Sequence, residues 1–162
     1  QLIEQRIYDV NNKPTLGAVG LFMKKFEYDP QGNLIKDSSY GINEEPIINM
    51  QGFHAAMNKY DEIGNVIEEA TYNKQGNLVL SDDGTAVSRM KHDDFGNLTE
   101  VSYFDQFNNP VLNKEGISRV VVNRGARHIS GFEYYGTRGE PVLNDEGVHR
   151  SVQHFDSEGR MT

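Results

Sequence analysis

From Tyr60 to Gly84 the chain reads YDEIGNVIEEATYNKQGNLVLSDDG, a stretch punctuated by three tight turns. The first is Asp61-Glu62-Ile63-Gly64-Asn65, the second Asn73-Lys74-Gln75-Gly76 and the third Ser81-Asp82-Asp83-Gly84. Asp at the first position with Gly at the fourth marks a type I turn closed by a left-handed residue, the three-residue hairpin with a bulge. The Asp side chain accepts the turn's amide hydrogens, and Gly takes the positive φ without steric cost. Strand-length segments flank the turns: Phe53 to Tyr60, Val66 to Tyr72, and the short Leu78-Val79-Leu80. One unit, residues 53–84, is therefore expected to hold three strands and no helix.

The same unit recurs about five times along the chain. The first turn returns at Tyr28 (YDPQGN), His92 (HDDFGN) and Phe155 (FDSEGR). A second aromatic anchor falls at Tyr8, Tyr40, Tyr72, Phe104 and Tyr135, and a third anchor at Gly20, Gly52, Gly84, Gly116 and Gly147. Each series steps by 32 residues except for one step of 31. Eleven of the 16 glycines occupy the three turn positions, which decides for an all-β class. A unit of this size cannot bury a core alone and must stack on its neighbours. Residues 1–162 thus read as a single array of tandem β-hairpin repeats, an open solenoid or twisted sheet, with a closed five-bladed ring as the alternative. The array begins and ends part-way through a unit, so a segment of a longer polypeptide is expected.

Pairing outward from the first turn predicts the faces. With Asp61 opposite Asn65, Tyr60 meets Val66, Asn58 meets Glu68, Ala56 meets Ala70 and His54 meets Tyr72. The next unit sets Ser88 against Ser102. This places Ala56, Ala70, Ser88 and Ser102 together on a buried face, with a Lys25–Asp37 charge pair on the other. Pro14, Pro46, Pro110 and Pro141 share one phase, with Leu78 taking that place in the unit of residues 53–84, and place the third strand's start at an exposed edge.

Composition narrows the functional classes. About a quarter of the chain is Leu, Ile, Val or Phe, above the disordered regime. The net charge of −8 argues against a general nucleic-acid binder, which needs a basic face. No apolar run is long enough to span a bilayer as a helix. With no cysteine there are neither disulfides nor thiolate metal sites.

The residues that could carry chemistry follow the repeat. His54 and His149 share one phase, His92 replaces the first-turn tyrosine, and His128 and His154 are isolated; none has metal-ligand spacing, and they read as aromatic stand-ins or surface residues. The turn aspartates Asp29, Asp61, Asp93 and Asp156 are committed to turn amides, whereas calcium needs six to eight converging oxygens. Glu68, Glu69 and Glu100 are tiled along the array, unlike a catalytic pair. No nucleophile motif and no phosphate loop is present. Neither catalytic residues, cofactor nor metal are therefore expected. The exception to the pattern is the fourth unit. One residue short, it replaces the first turn by Asn123-Arg124-Gly125-Ala126-Arg127-His128. With Arg119 it offers Arg119, Arg124, Arg127 and His128 as a basic patch for an anion or a protein partner.

The YDxxGN turns resemble the YD repeats of bacterial Rhs proteins. The units are closer still to longer tandem repeats of large bacterial proteins, through Tyr60-Asp61 with Gly64-Asn65, Ile67-Glu68-Glu69, Tyr103-Phe104, Pro141-Val142-Leu143 and Asn144-Asp145-Glu146-Gly147. Rhs-type repeats form a β shell around toxin cargo, and this chain is too small to enclose anything. The resemblance implies a secreted or cell-surface bacterial repeat protein. Together with the repeat it points to a non-enzymatic scaffold that binds a protein partner or its own copies through β edges, without nucleic acid or membrane insertion. A glycan or cell-wall binder, stacking exposed aromatics on sugar rings, is the rival.

Overall fold

The computed structural model describes residues 1–18, 20–125, 128–156 and 160. Among them are ten strands and no helix: β1 (Glu4–Arg6), β2 (Met23–Tyr28), β3 (Leu34–Tyr40), β4 (Ala55–Tyr60), β5 (Val66–Tyr72), β6 (Val87–His92), β7 (Leu98–Phe104), β8 (Arg119–Arg124), β9 (Ile129–Tyr135) and β10 (Arg150–Val152). They form one antiparallel sheet in chain order, a meander from β1 to β10. Among the described residues β1 pairs only with β2 and β10 only with β9, so the sheet is open and not the closed five-bladed ring.

The turns form as their sequences dictate. In the first turn the amide of Asp61 donates to the Asn65 carbonyl at 2.9 Å, and the Asp61 carboxylate accepts from the amides of Ile63 and Asn65. Gly32, Gly64 and Gly96 take φ of 95°, 93° and 78°, the left-handed conformation expected of them. The second turn meets the same demand without glycine in three units, where Asn12, Glu44 and Asn108 take φ between 61° and 67°.

Two features depart from the sequence reading. The first is strand number: each unit contributes two strands, not three. The third segment folds back on its own unit through a single bridge, Tyr72 to Leu78, repeated as Tyr8–Pro14, Tyr40–Pro46, Phe104–Pro110 and Tyr135–Pro141. The residue after the proline supplies the bond; the Val111 amide, for example, donates to the Tyr103 carbonyl at 3.1 Å. Proline's missing donor is therefore not needed, and these prolines are exposed.

The second is register. Tyr60 does face Val66, but the next pair is Lys59 with Glu68, and then Asn58–Glu69, Met57–Ala70, Ala56–Thr71 and Ala55–Tyr72. Ile67 is the extra residue of a β-bulge, and Ile35, Thr99 and Ser130 repeat it in the other hairpins. A one-residue slip moves every later side chain to the opposite face. Ala70 and Ser102 therefore share one face, and Ala56 and Ser88 the other. Ala70 is buried at 4% exposure, while the other three are only half-buried. The same slip makes the charge pair on the opposite face Lys24–Asp37, not Lys25–Asp37.

The core is a band across the sheet near the crossover loops. Leu21, Phe22, Met23, Phe53, Ala55, Ala86, Val87 and Ile117 are buried there. Ala70, Ala86 and Val87 form one cluster, packed by Tyr72, Leu78 and Phe104. Each loop thus covers the end of its own hairpin, and the middle of the sheet is one layer thick with both faces wet.

Candidate interaction surfaces

The face that carries Ala55, Met57 and Lys59 is crossed by ion pairs at repeat spacing. Glu68 sits between Lys59 at 2.7 Å and Arg89 at 3.0 Å, and Glu100 between Lys91 at 2.8 Å and Arg119 at 3.2 Å. Partial burial pushes both carboxyls up, but the flanking cations outweigh it and hold them below the ordinary glutamate range. Glu133 meets Arg150 at 3.3 Å in the last pair of strands, and its carboxyl is lowered chiefly by the Tyr135 hydroxyl and the Asn123 amide. The cations also lie over the second-anchor aromatics: Arg89 on Phe104 at 4.4 Å and Arg119 on Tyr135 at 4.2 Å.

Arg119 is therefore engaged inside this ladder. It stands directly opposite Tyr135, in the position that Met23, Ala55 and Val87 fill in the other units. Arg124 lies at the far end of β8, five residues on or about 16 Å along the strand, exposed beside the shortened turn. That turn closes by the Gly125 amide donating to the His128 carbonyl at 2.9 Å. His128 stacks on Phe155 with ring centroids 4.7 Å apart. The structure thus brings Arg124 and His128 to one end of the sheet and leaves Arg119 at the other; Ala126 and Arg127 lie outside the described residues.

The other histidines take aromatic places. His54 packs edge-on against Tyr40, and His149 against Tyr135, with interplanar angles of 86° and 83°. Phe22 makes the same contact with Tyr8. The Nδ1 of His54 lies 3.0 Å from the Ser39 carbonyl, and that of His149 2.9 Å from the Tyr134 carbonyl. The turn aspartates do not converge: no cluster of three or more His, Asp or Glu able to hold a metal occurs among the described residues. Asp61 is held below its usual range by the Asn65 side chain and turn amides, and Asp93 likewise by its turn.

Exposed aromatics do not form a platform. Phe95, 90% exposed, tips a first turn, and Phe107, 75% exposed, lies at the opposite end of β7. No helix among the described residues is long and apolar enough to cross a membrane.

The edges of the sheet are further surfaces. In β1 the Ile3 carbonyl accepts from Phe26 and the Ile7 amide donates to Phe22, so residues 3, 5 and 7 turn their backbone groups toward β2. Antiparallel alternation then points those of Glu4 and Arg6 outward. In β10 the Gln153 amide donates to Ser130 and the His149 carbonyl accepts from Tyr134, which points Arg150 and Val152 outward. Each edge strand is only three residues long and carries charge, the usual means of blunting an edge. The chain matches no known family model and no curated protein sequence.

Proposed function

We propose that the chain is a non-enzymatic β-repeat scaffold that associates through its sheet edges with a protein partner or with copies of itself. One observation carries this: an open ten-stranded sheet whose two edge strands direct backbone donors and acceptors outward. Backbone pairing at such an edge supplies affinity, and the alternate side chains supply selectivity. Within the sheet, Glu68 and Glu100 are engaged in ion pairs and His54 and His149 in ring packing. The resemblance of the YDxxGN units to Rhs-type repeats supports a place in a secreted or surface repeat protein of a bacterium. Sedimentation across a concentration series tests the association. Val152→Pro removes an outward donor without touching the β9–β10 ladder and is expected to leave the chain monomeric, whereas Arg124→Glu combined with Arg127→Glu leaves association unchanged. Association that survives Val152→Pro and vanishes with the charge reversals would move the function to the irregular fourth unit. A chain that stays monomeric and saturates with a cell-wall glycan would replace the scaffold by a glycan binder.

A further inference from the structure

We infer that the end of the sheet where the crossover loops lie is a second interaction surface, one that takes a basic amphipathic helix of a protein partner. It does not involve the edge strands. The crossovers join one hairpin to the next and span residues 9–20, 41–52, 73–84, 105–116 and 136–147. Each places one apolar residue at the same phase: Leu16, Ile48, Leu80, Leu112 and Leu143, between 40% (Leu80) and 62% (Leu143) exposed. Backbone bonds pin each of them from both sides. The residue before donates to its own hairpin, as Val79 does to Thr71 at 3.0 Å and Val111 to Tyr103 at 3.1 Å. The residue after donates across the third turn, as Ser81 does to Thr85 and Asn113 to Ile117, both at 2.8 Å. Neighbouring crossovers are tied as well: the Asp82 amide donates to the Gln51 carbonyl and the Lys114 amide to the Asp83 carbonyl, both at 2.8 Å. Single exposed leucines are ordinary on a protein surface, but five at one phase on a hydrogen-bonded rim form a stripe.

Charge sets the chemistry of the partner. The five crossovers hold ten carboxylates and four cations, a net −6 in a chain of net charge −8. The ten strands hold seven carboxylates and ten cations, so the negative charge sits at the ends of the sheet and not on its faces. Carboxylates lie on both sides of the stripe: Glu44 and Glu45 precede Ile48, Asp82 and Asp83 follow Leu80, and Asp145 and Glu146 follow Leu143. A basic partner is attracted and an acidic one repelled. Spacing sets its backbone. Successive crossovers are two strands apart, about 9.5 Å, so the stripe runs about 38 Å. An extended peptide returns to one face every two residues, about 6.6 Å, and falls out of step. A helix returns every seven residues, about 10.5 Å, within a side chain's adjustment of each step. The crossover backbone is also spent, since the amides of Val79, Ser81, Asp82 and Gly84 all donate within the array. It offers no place for an added strand, whereas a helix brings its backbone already satisfied and docks by side chains alone. The first-turn end is acidic too but lacks the stripe: Gln31 stands at the phase of the exposed Ile63 and Phe95.

The probe is a synthetic peptide of about 28 residues, four heptads with leucine on one face and lysine on the rest, about 42 Å long as a helix. Labelled with fluorescein, it is titrated with the 162-residue chain at near-physiological salt and read by anisotropy. It is expected to bind at least tenfold more tightly than a scrambled peptide of the same composition, and than one with glutamate in place of lysine. Leu80→Ser combined with Leu112→Ser should weaken it at least tenfold. Those side chains are half-buried, so a second variant guards against misfolding: Asp82→Asn with Glu115→Gln, both exposed, should weaken binding at least threefold at an unchanged urea midpoint. Ile63→Ser with Phe95→Ser, at the other end of the sheet, should leave it unchanged. So should Val152→Pro, which separates this surface from the edges. No binding of the helical peptide, or equal binding of the scrambled one, would overturn the inference. So would affinity lost with Val152→Pro, which would place the peptide on the sheet edge.

Discussion

Tyr28 and Tyr60 do more than fill space at the head of their turns. The Tyr28 hydroxyl donates to the Leu2 carbonyl and the Tyr60 hydroxyl to the Leu34 carbonyl, each at 2.8 Å and each one unit back along the array. The first-turn tyrosine is thus a rivet between neighbouring units. His92 occupies the same place without that reach, and its Nδ1 is buried with no hydrogen-bond partner. A buried polar atom left unpaired costs about 1–3 kcal/mol, and a made bond contributes about 1 kcal/mol. His92→Tyr should therefore raise the unfolding free energy by about 1 kcal/mol or more, read from urea midpoints at constant slope; an unchanged midpoint would show that the third rivet has no carbonyl to grip. A second residue-scale device is paired. Where a second turn opens with Gly41 or Gly136 instead of Asp or Asn, a glutamate four residues later takes over. Glu45 accepts from the Asn43 amide at 2.9 Å and Glu140 from the Arg138 amide at 2.9 Å. A Cβ at either glycine would meet that glutamate's carboxylate, the far end of a flexible side chain, which would have to shift away from the turn. The signal lay in the sequence as the coincidence of Gly41 with Glu45 and Gly136 with Glu140.

At the scale of the element, the turns were legible and the register was not. Asp61, Gly64 and Asn65 announce a turn because its chemistry is local: a side chain, two amides and one positive φ within five residues. Ile67 announces nothing, because a bulge residue is an ordinary β former whose only distinction is the strand opposite. The third strand was overread for a similar reason. Leu78-Val79-Leu80 has strand composition, but a strand needs a ladder and its loop provides one bridge. Arg119 and Arg124 looked like neighbours because five residues is close in sequence, yet in a strand it spans most of the sheet's width. The bulge makes a prediction that separates the two faces. Ala70 is buried in the cluster with Ala86 and Val87, and Ala56 is half-buried on the other face. Ala70→Leu should destabilise by about 1–3 kcal/mol through overpacking, and Ala56→Leu by well under half as much. Equal losses in thermal or urea melts would contradict the register.

Over the whole molecule, each unit touches only the units before and after it, so stability accumulates by nearest-neighbour increments with no central core to hold distant parts together. The first strand and the last lie at opposite edges of one layer. Tension applied between the chain's two ends therefore acts across the strands, and it loads the inter-strand bonds a few at a time instead of shearing a whole ladder at once. Such a sheet behaves as a zipper. Stretched in a force spectrometer, the chain should release in steps of one unit, each lengthening it by about 110 Å for 32 residues of extended backbone, at forces well below those of sheared sandwiches. A single release of the full length would show that the units are coupled beyond their neighbours. Stepwise release makes the open meander a tether that gives way by degrees under load and can re-form unit by unit when the load is removed.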